Sequence, residues 1–193
     1  MGLALTLRRS AEFSKVVQWM SDPLIYRPIT AVLSTSPYRF TVPGHGMPPD
    51  WLAYVPGLLA GCDAGSTPNL DNPNIYSRVT VIDADTVELP GVSPEVARFL
   101  LNPTQIIYRS PMDLTGFSGA LRVRSSQADD SPELLVVDAS NGLTVDDAVK
   151  QVQVLLLSPF IEALTWSLGF YRLIMTRGPD TYTILDGTIR VTP

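Results

Sequence analysis

The single histidine, His45, stands between Gly44 and Gly46 in PGHGMPPD (43–50). A lone imidazole is able to bind a metal or act as a general base. Set among glycines and prolines, it reads instead as part of a tight reversal, where positive and fixed φ angles are needed. The single cysteine, Cys62, lies in GCDAGSTPNLDNPN (61–74). A reactive thiol needs a basic neighbour to stabilise the thiolate; none is near in sequence, so Cys62 reads as a bystander. One cysteine also excludes an intrachain disulfide and a cysteine-only zinc cluster. Three acidic sets, Asp83 with Asp85, Asp129–Asp130 and Asp146–Asp147, have side chains of the kind used by glycosidases and calcium loops. A glycosidase needs two carboxylates facing each other across a cleft. The EF-hand pattern, with its central Gly and terminal Glu, is absent. Solvated turns are the simpler reading. Trp19, Trp51 and Tyr54 offer ring faces on which a sugar could stack. One histidine gives a Ser–His–Asp centre little basis, and no P-loop, dinucleotide fingerprint or CxxC pair occurs. No catalytic, cofactor-binding or metal-ligating residue is assigned, no cofactor is expected, and the chain reads as a non-enzyme.

The elements that position these residues follow from pattern. The chain has 193 residues, 45% hydrophobic and 17% charged, with 17 Pro and 13 Gly, enough apolar content to bury a core. Fourteen basic against nineteen acidic side chains leave a net charge of −5, which argues against nucleic acid as the main partner. The period is mostly two residues. In FSGALRVR (117–124), Phe117, Gly119, Leu121 and Val123 share one face and Ser118, Arg122 and Arg124 the other. In KQVQVLLL (150–157), Val152, Val154 and Leu156 alternate with Gln151, Gln153 and Leu155. In FYRLIMTR (170–177), Tyr171, Leu173 and Met175 oppose Arg172 and Thr176. Such alternation predicts half-buried strands. Further strands are expected at 3–8, 12–19, 29–34, 38–42, 75–82, 86–89, 133–137, 182–185 and 188–192. Two short helices are expected at 93–101 and 158–165, each opening with Ser then Pro, a capping oxygen and a preset φ. The fold class is all-β.

Composition also suggests a boundary. YRPI (26–29) has a near echo at YRSPM (108–112), each following an isoleucine, Ile25 and Ile107, and residues 28–107 hold 11 of the 17 prolines. The expectation is a discontinuous β-sandwich frame, 1–27 with 108–193, and a small β-module inserted at 28–107. The start, MGLALTLRRSAEF, reverses the order of a secretory signal. No run approaches the ~18 apolar residues of a spanning helix, so a soluble intracellular product, or a particle assembled there, is expected. The closing LDGTIRVTP reads as a strand held in a sheet, and LALTLR as one that pairs with the frame or with a neighbouring subunit.

Several stretches together resemble a known group. AEFSKVVQW (11–19), DLTGFSGALRVR (113–124), SNGLTV (140–145), SPFIEALTW (158–166), GFYRLIM (169–175) and ILDGTIRVTP (184–193) follow the order seen in a β-sandwich of tailed-bacteriophage structural proteins. That sandwich is related to the N-terminal domain of upper baseplate proteins. ITAV (29–32), FTVPGHGMPPDW (40–51) and LDNPNIYSRVTVIDADTVELPGV (70–92) resemble a small β-module common in phage proteins. The resemblance implies an immunoglobulin-like sandwich with a β-barrel-like module inserted, and virion architecture without catalysis. In these positions Asp113 should cap amides with Gly116 relaxing φ, Asp83 and Asp85 should form an Asx-type hairpin reversal, and Trp166, Phe170 and Tyr171 should fill the sandwich core.

The expected function is that of a virion structural protein assembling in the tail: baseplate, neck or adaptor, or fibre-attachment region. Its partners would be other tail or neck proteins and further copies of itself around the tail axis, with no nucleic acid and no membrane. It would be found in the virion tail, and in host cytoplasm during assembly. Two alternatives are a capsid decoration or head-fibre base, and a host-glycan-binding module using the aromatic faces named above. Only Lys15 and Lys150 among the basic residues are lysines, so the surface cations are arginines, which interfaces favour.

Overall fold

A computed structural model describes residues 3–56, 76–90 and 103–193, together with the backbone of 58–59 and 98–99. It is predominantly β and divides into two compact units: Met1–Trp19 with Asp113–Pro193, and Met20–Met112. Cys62 and most of the expected helix at 93–101 lie outside the described residues.

Strands are numbered along the chain. The first unit has a five-stranded sheet in the order β1 (Leu5–Arg8), β18 (Asp180–Thr192), β17 (Leu168–Arg177), β13 (Ser118–Arg124), β14 (Glu133–Val137). A three-stranded sheet runs β15 (Leu143–Asp146), β16 (Gln151–Leu156), β2 (Phe13–Gln18), and the helix α1 covers Ser158–Glu162. Strands β13, β16 and β17 bury alternate residues: Val152, Val154 and Leu156 from β16, Leu121 and Val123 from β13, Tyr171, Leu173 and Met175 from β17. Fully burying one such side chain is worth roughly 1.5–3 kcal/mol, which makes this alternation the main determinant of register. The two buried faces meet at Gly119, where a Cβ would lie 2.8 Å from Leu143 Cδ2 of the second sheet. Antiparallel pairing sets Leu121 opposite Leu173 and Val123 opposite Tyr171. β1 runs parallel to β18, Leu5 beside Ile189 and Leu7 beside Val191, so the first and last strands are hydrogen-bonded neighbours. Gly187, at φ +155°, lets the segment before β1 approach: a Cβ there would sit 2.1 Å from the Leu3 carbonyl oxygen, which accepts the Tyr171 hydroxyl at 2.8 Å.

The second unit contains β3 (Met20–Pro28), β4 (Ala31–Thr35), β5 (Tyr38–Thr41), β6 (Leu52–Tyr54), β7 (Leu58–Leu59), β8 (Ser77–Arg78), β9 (Thr80–Val81), β10 (Thr86–Leu89), β11 (Arg98–Phe99) and β12 (Gln105–Pro111). Its sheets run β4-β5-β10-β9, β3-β12-β6-β8 and β11-β7. Phe40, Val42, Trp51, Val87, Leu89, Ile106 and Tyr108 belong to its buried core.

Several expectations require correction. Residues 20–27 and 108–112, expected in the first unit, fall in the second, where β3 and β12 pair from Pro28 with Gln105 to Met20 with Pro111, with a register shift between Arg109 and Ser110. Neither β3 nor β12 was expected, since Pro23, Pro28 and Pro111 obscure strand patterns. Within the expected helix at 93–101, Arg98–Phe99 is a strand paired with Leu58–Leu59; an isolated short helix is marginal, and a partner strand satisfies the same backbone groups. The helix α1 ends at Glu162 rather than at residue 165, and Leu157 is its N-cap. The Ser158 hydroxyl donates to the Arg9 carbonyl at 2.9 Å instead of capping the helix. Tyr171 is buried in the core, but Phe170 lies on the opposite, outer face, because adjacent strand residues cannot both point inward. Trp166 is half-buried. The expected strands at 182–185 and 188–192 are one strand, β18, with an irregularity in its pairing near Leu173–Ile174.

Candidate functional site

In the second unit, His45 is buried by the loop that carries it. Its Nδ1 accepts the Met47 amide at 3.0 Å, and its Nε2 lies 2.9 Å from the Asp83 carbonyl oxygen. Nδ1 therefore carries no proton and Nε2 donates, which fixes a neutral tautomer and leaves no ring nitrogen for a ligand. The Tyr108 hydroxyl donates to the His45 carbonyl, and burial pushes the phenol's pKa up. The Asp83–Asp85 turn completes the lock. Asp83 Oδ1 accepts the Asp85 amide at 2.9 Å, and Asp85 Oδ1 accepts the Gly44 amide at 2.7 Å. The Asp85 amide, as the main stabiliser of the charged form, holds the Asp83 carboxyl below its ordinary range. PGHG and DADT are thus two halves of one hydrogen-bonded clasp.

The first unit has a counterpart. Asp113 Oδ1 accepts the Thr115 hydroxyl at 2.8 Å and its amide at 3.2 Å, with Gly116 following at φ +75°. Asp147 Oδ1 accepts Lys150 Nζ at 2.5 Å and the Leu114 amide at 2.6 Å, tying the β15–β16 turn to the DLTG segment. The Lys150 ammonium and the Leu114 amide lower the Asp147 pKa, and the Thr115 hydroxyl and amide lower that of Asp113. A depressed folded value means the unfolded chain binds more protons at intermediate acidity. The resulting stabilisation is complete above the ordinary aspartate value of 3.8 and is lost as pH falls through the lower folded value. Thermal unfolding followed between pH 6 and about pH 2 should therefore show a falling midpoint below the ordinary aspartate range. Asp147→Asn should flatten that fall; an unchanged acid slope would remove Asp147 as its source.

Members of each acidic set are engaged in turns or ion pairs. Asp83 and Asp85 cap one another's turn, Asp146 caps Ala148 and Val149, and Asp129 pairs with Arg172. Among the described residues, no three His, Cys, Asp or Glu side chains converge to hold a metal ion. Of the three aromatic residues named for glycan stacking, two are buried and the third is half-buried among other rings. Trp51 is 0% exposed, its indole N–H donating to the Arg109 carbonyl at 2.9 Å, and Tyr54 is 7% exposed. Trp19 packs edge-on against Phe117, ring centroids 5.1 Å apart, and against Tyr182 at 5.3 Å; the Arg177 guanidinium lies 4.3 Å above the Phe117 ring.

One cluster escaped the sequence reading. On the outer face of the five-stranded sheet, Arg122, Arg124 and Arg172 line a cleft of about 240 Å³, together with Phe170, Ser126 and Asp186. Register places Arg122 directly opposite Arg172, and Asp186 opposite Arg172 on the other side. Arg122 pairs with Glu133 at 2.6 Å, and Arg124 reaches the same oxygen at 3.4 Å. The Arg122 guanidinium is the main reason Glu133 titrates below its usual range. Alternation assigned these arginines to outer faces, but which strands pair was not legible, so their convergence was not either.

No helix among the described residues is long and apolar enough to cross a membrane. Compared with protein-family models and with curated proteins, the chain matches none.

Proposed function

We propose that this chain is a non-enzymatic structural component of a tailed-phage virion, an immunoglobulin-like sandwich frame carrying a β-barrel-like module, assembled in the tail. The observation that supports this reading best is how the stretches resembling tail proteins use their polar groups. DLTG is bonded to the β15–β16 turn through Asp147, and PGHG to DADT through His45 and Asp85. These groups hold loops in place and are not aimed into a cleft, as expected of a part whose work is mechanical. Large apolar side chains exposed on the edge strand β4, Val32 and Leu33, and at Leu157 add surface suited to association. Repetition around a symmetric tail would turn individually weak contacts into a stable joint.

Antibody–gold electron microscopy on intact virions tests the reading, with mass spectrometry of the same particles. Label at the baseplate, neck or tail is expected. Label on the head would replace the tail assignment by capsid decoration, and absence of the polypeptide from purified particles would end the virion reading.

A further inference from the structure

We propose that the arginine cleft on the outer face of the five-stranded sheet docks an acidic segment of a partner polypeptide, whose carboxylates take the place of Asp129 on Arg172. The proposal stands independently of whether the protein belongs to a virion.

The cleft concentrates three guanidinium groups on one sheet face of a chain whose net charge is −5. Like charges directly opposite on neighbouring strands, as Arg122 and Arg172 are, repel unless anions lie between or beside them. The anions present are side-chain carboxylates. Glu133 serves two arginines from within the sheet, whereas Asp129 serves Arg172 from a loop and is itself 82% exposed. An ion pair with one partner so exposed is weak and exchangeable.

The loop does not need that ion pair to keep its shape. It closes on itself through the Ser125 amide to the Pro132 carbonyl at 3.1 Å and the Ser131 hydroxyl to the Ala128 carbonyl at 2.7 Å. The Ser126 hydroxyl accepts the Ala128 amide at 3.2 Å. Asp129 can therefore leave Arg172 without unfolding its own turn, and it serves as an internal version of the ligand. Phe170, opposite Arg124 in register and half-buried, offers apolar floor for the methylene groups of a glutamate. Charge balance favours carboxylates over phosphates. Exchanging one carboxylate for another leaves the balance of the cleft unchanged, whereas a phosphate monoester would bring about −1.5 to −2 charge beside Asp186 and Glu133.

The test is a titration of the full chain into fluorescein-labelled octaglutamate, read by fluorescence anisotropy at low and moderate salt. Saturable binding that weakens with salt is expected. Arg172→Gln should weaken it by about tenfold, the loss of one charged hydrogen-bonded contact. Asp129→Asn should tighten it by up to about fivefold, because it removes the internal competitor. That gain distinguishes docking from a structural role for the pair, since a merely destabilised protein would not bind better. Binding by neither the wild type nor Asp129→Asn would overturn the proposal. So would Asp129→Asn binding no tighter than the wild type, or Arg172→Gln binding as well as it with an unchanged circular dichroism spectrum. Displacement of octaglutamate by equal concentrations of inorganic phosphate or oligothymidylate would overturn the assignment to an acidic polypeptide.

Discussion

Trp51→Ala should strip the second unit of most of its stability while leaving the first intact. The indole is fully buried and its N–H is satisfied by the Arg109 carbonyl on β12, so truncation removes apolar burial, opens a cavity and deletes a hydrogen bond together. Buried Trp→Ala changes cost about 3–5 kcal/mol, a large share of the roughly 5–15 kcal/mol that holds a domain folded. Amide hydrogen exchange resolves the outcome by strand. Protection in β5, β10 and β12 should fall by about two to three orders of magnitude, with β13 and β17 unaffected. Trp51→Phe, which keeps a ring in the core, should lose much less. Unchanged exchange in the second unit would mean that Trp51 is not its keystone. Equal loss in both units would mean that they fold as one.

What was legible in the sequence is what a single strand determines about itself. Two-residue alternation located β10 at 86–89 and β14 at 133–137, and separated inner from outer residues on β13, β16 and β17. Local turn chemistry was equally readable, because Asp113 with Thr115 and Asp83 with Asp85 interact across two residues. What failed depends on partners distant in sequence. β3 and β12 are strands because they pair with each other, although proline disguises both. The Asp147–Leu114 and His45–Asp83 bonds join segments more than thirty residues apart. The arginine cleft exists only because register sets Arg122 beside Arg172. Phe170 shows the opposite error: a resemblance assigned it to the core, although its alternation with Tyr171 already excluded both from one face.

Removing residues 22–109 and joining Ser21 to Ser110 through Asn-Gly should leave the first unit folded. The argument rests on where the intervening chain begins and ends. Ser21 and Ser110 are register partners in the β3–β12 ladder, as are Met20 and Pro111. Opposed residues in an antiparallel pair lie about 4.5–5.5 Å apart, and a two-residue Asn-Gly turn spans such a pair with the correct twist. Trp19 and Phe117, which flank the excised segment, already touch within the first unit, so neither end has to move to be closed. A folded segment with adjacent ends constrains the chain on either side of it much as a short turn does. The excised frame should therefore lie within about 1 kcal/mol of the first unit in the parent chain, whereas a loop of about ninety flexible residues would cost some 3 kcal/mol more than a two-residue one. The readouts are a cooperative urea transition and the near-ultraviolet circular dichroism of the Trp19–Phe117–Tyr182 cluster. A frame that fails to fold would show that the first unit depends on contacts supplied by the second. A folded frame that still binds octaglutamate would place both the core and the arginine cleft within the first unit alone.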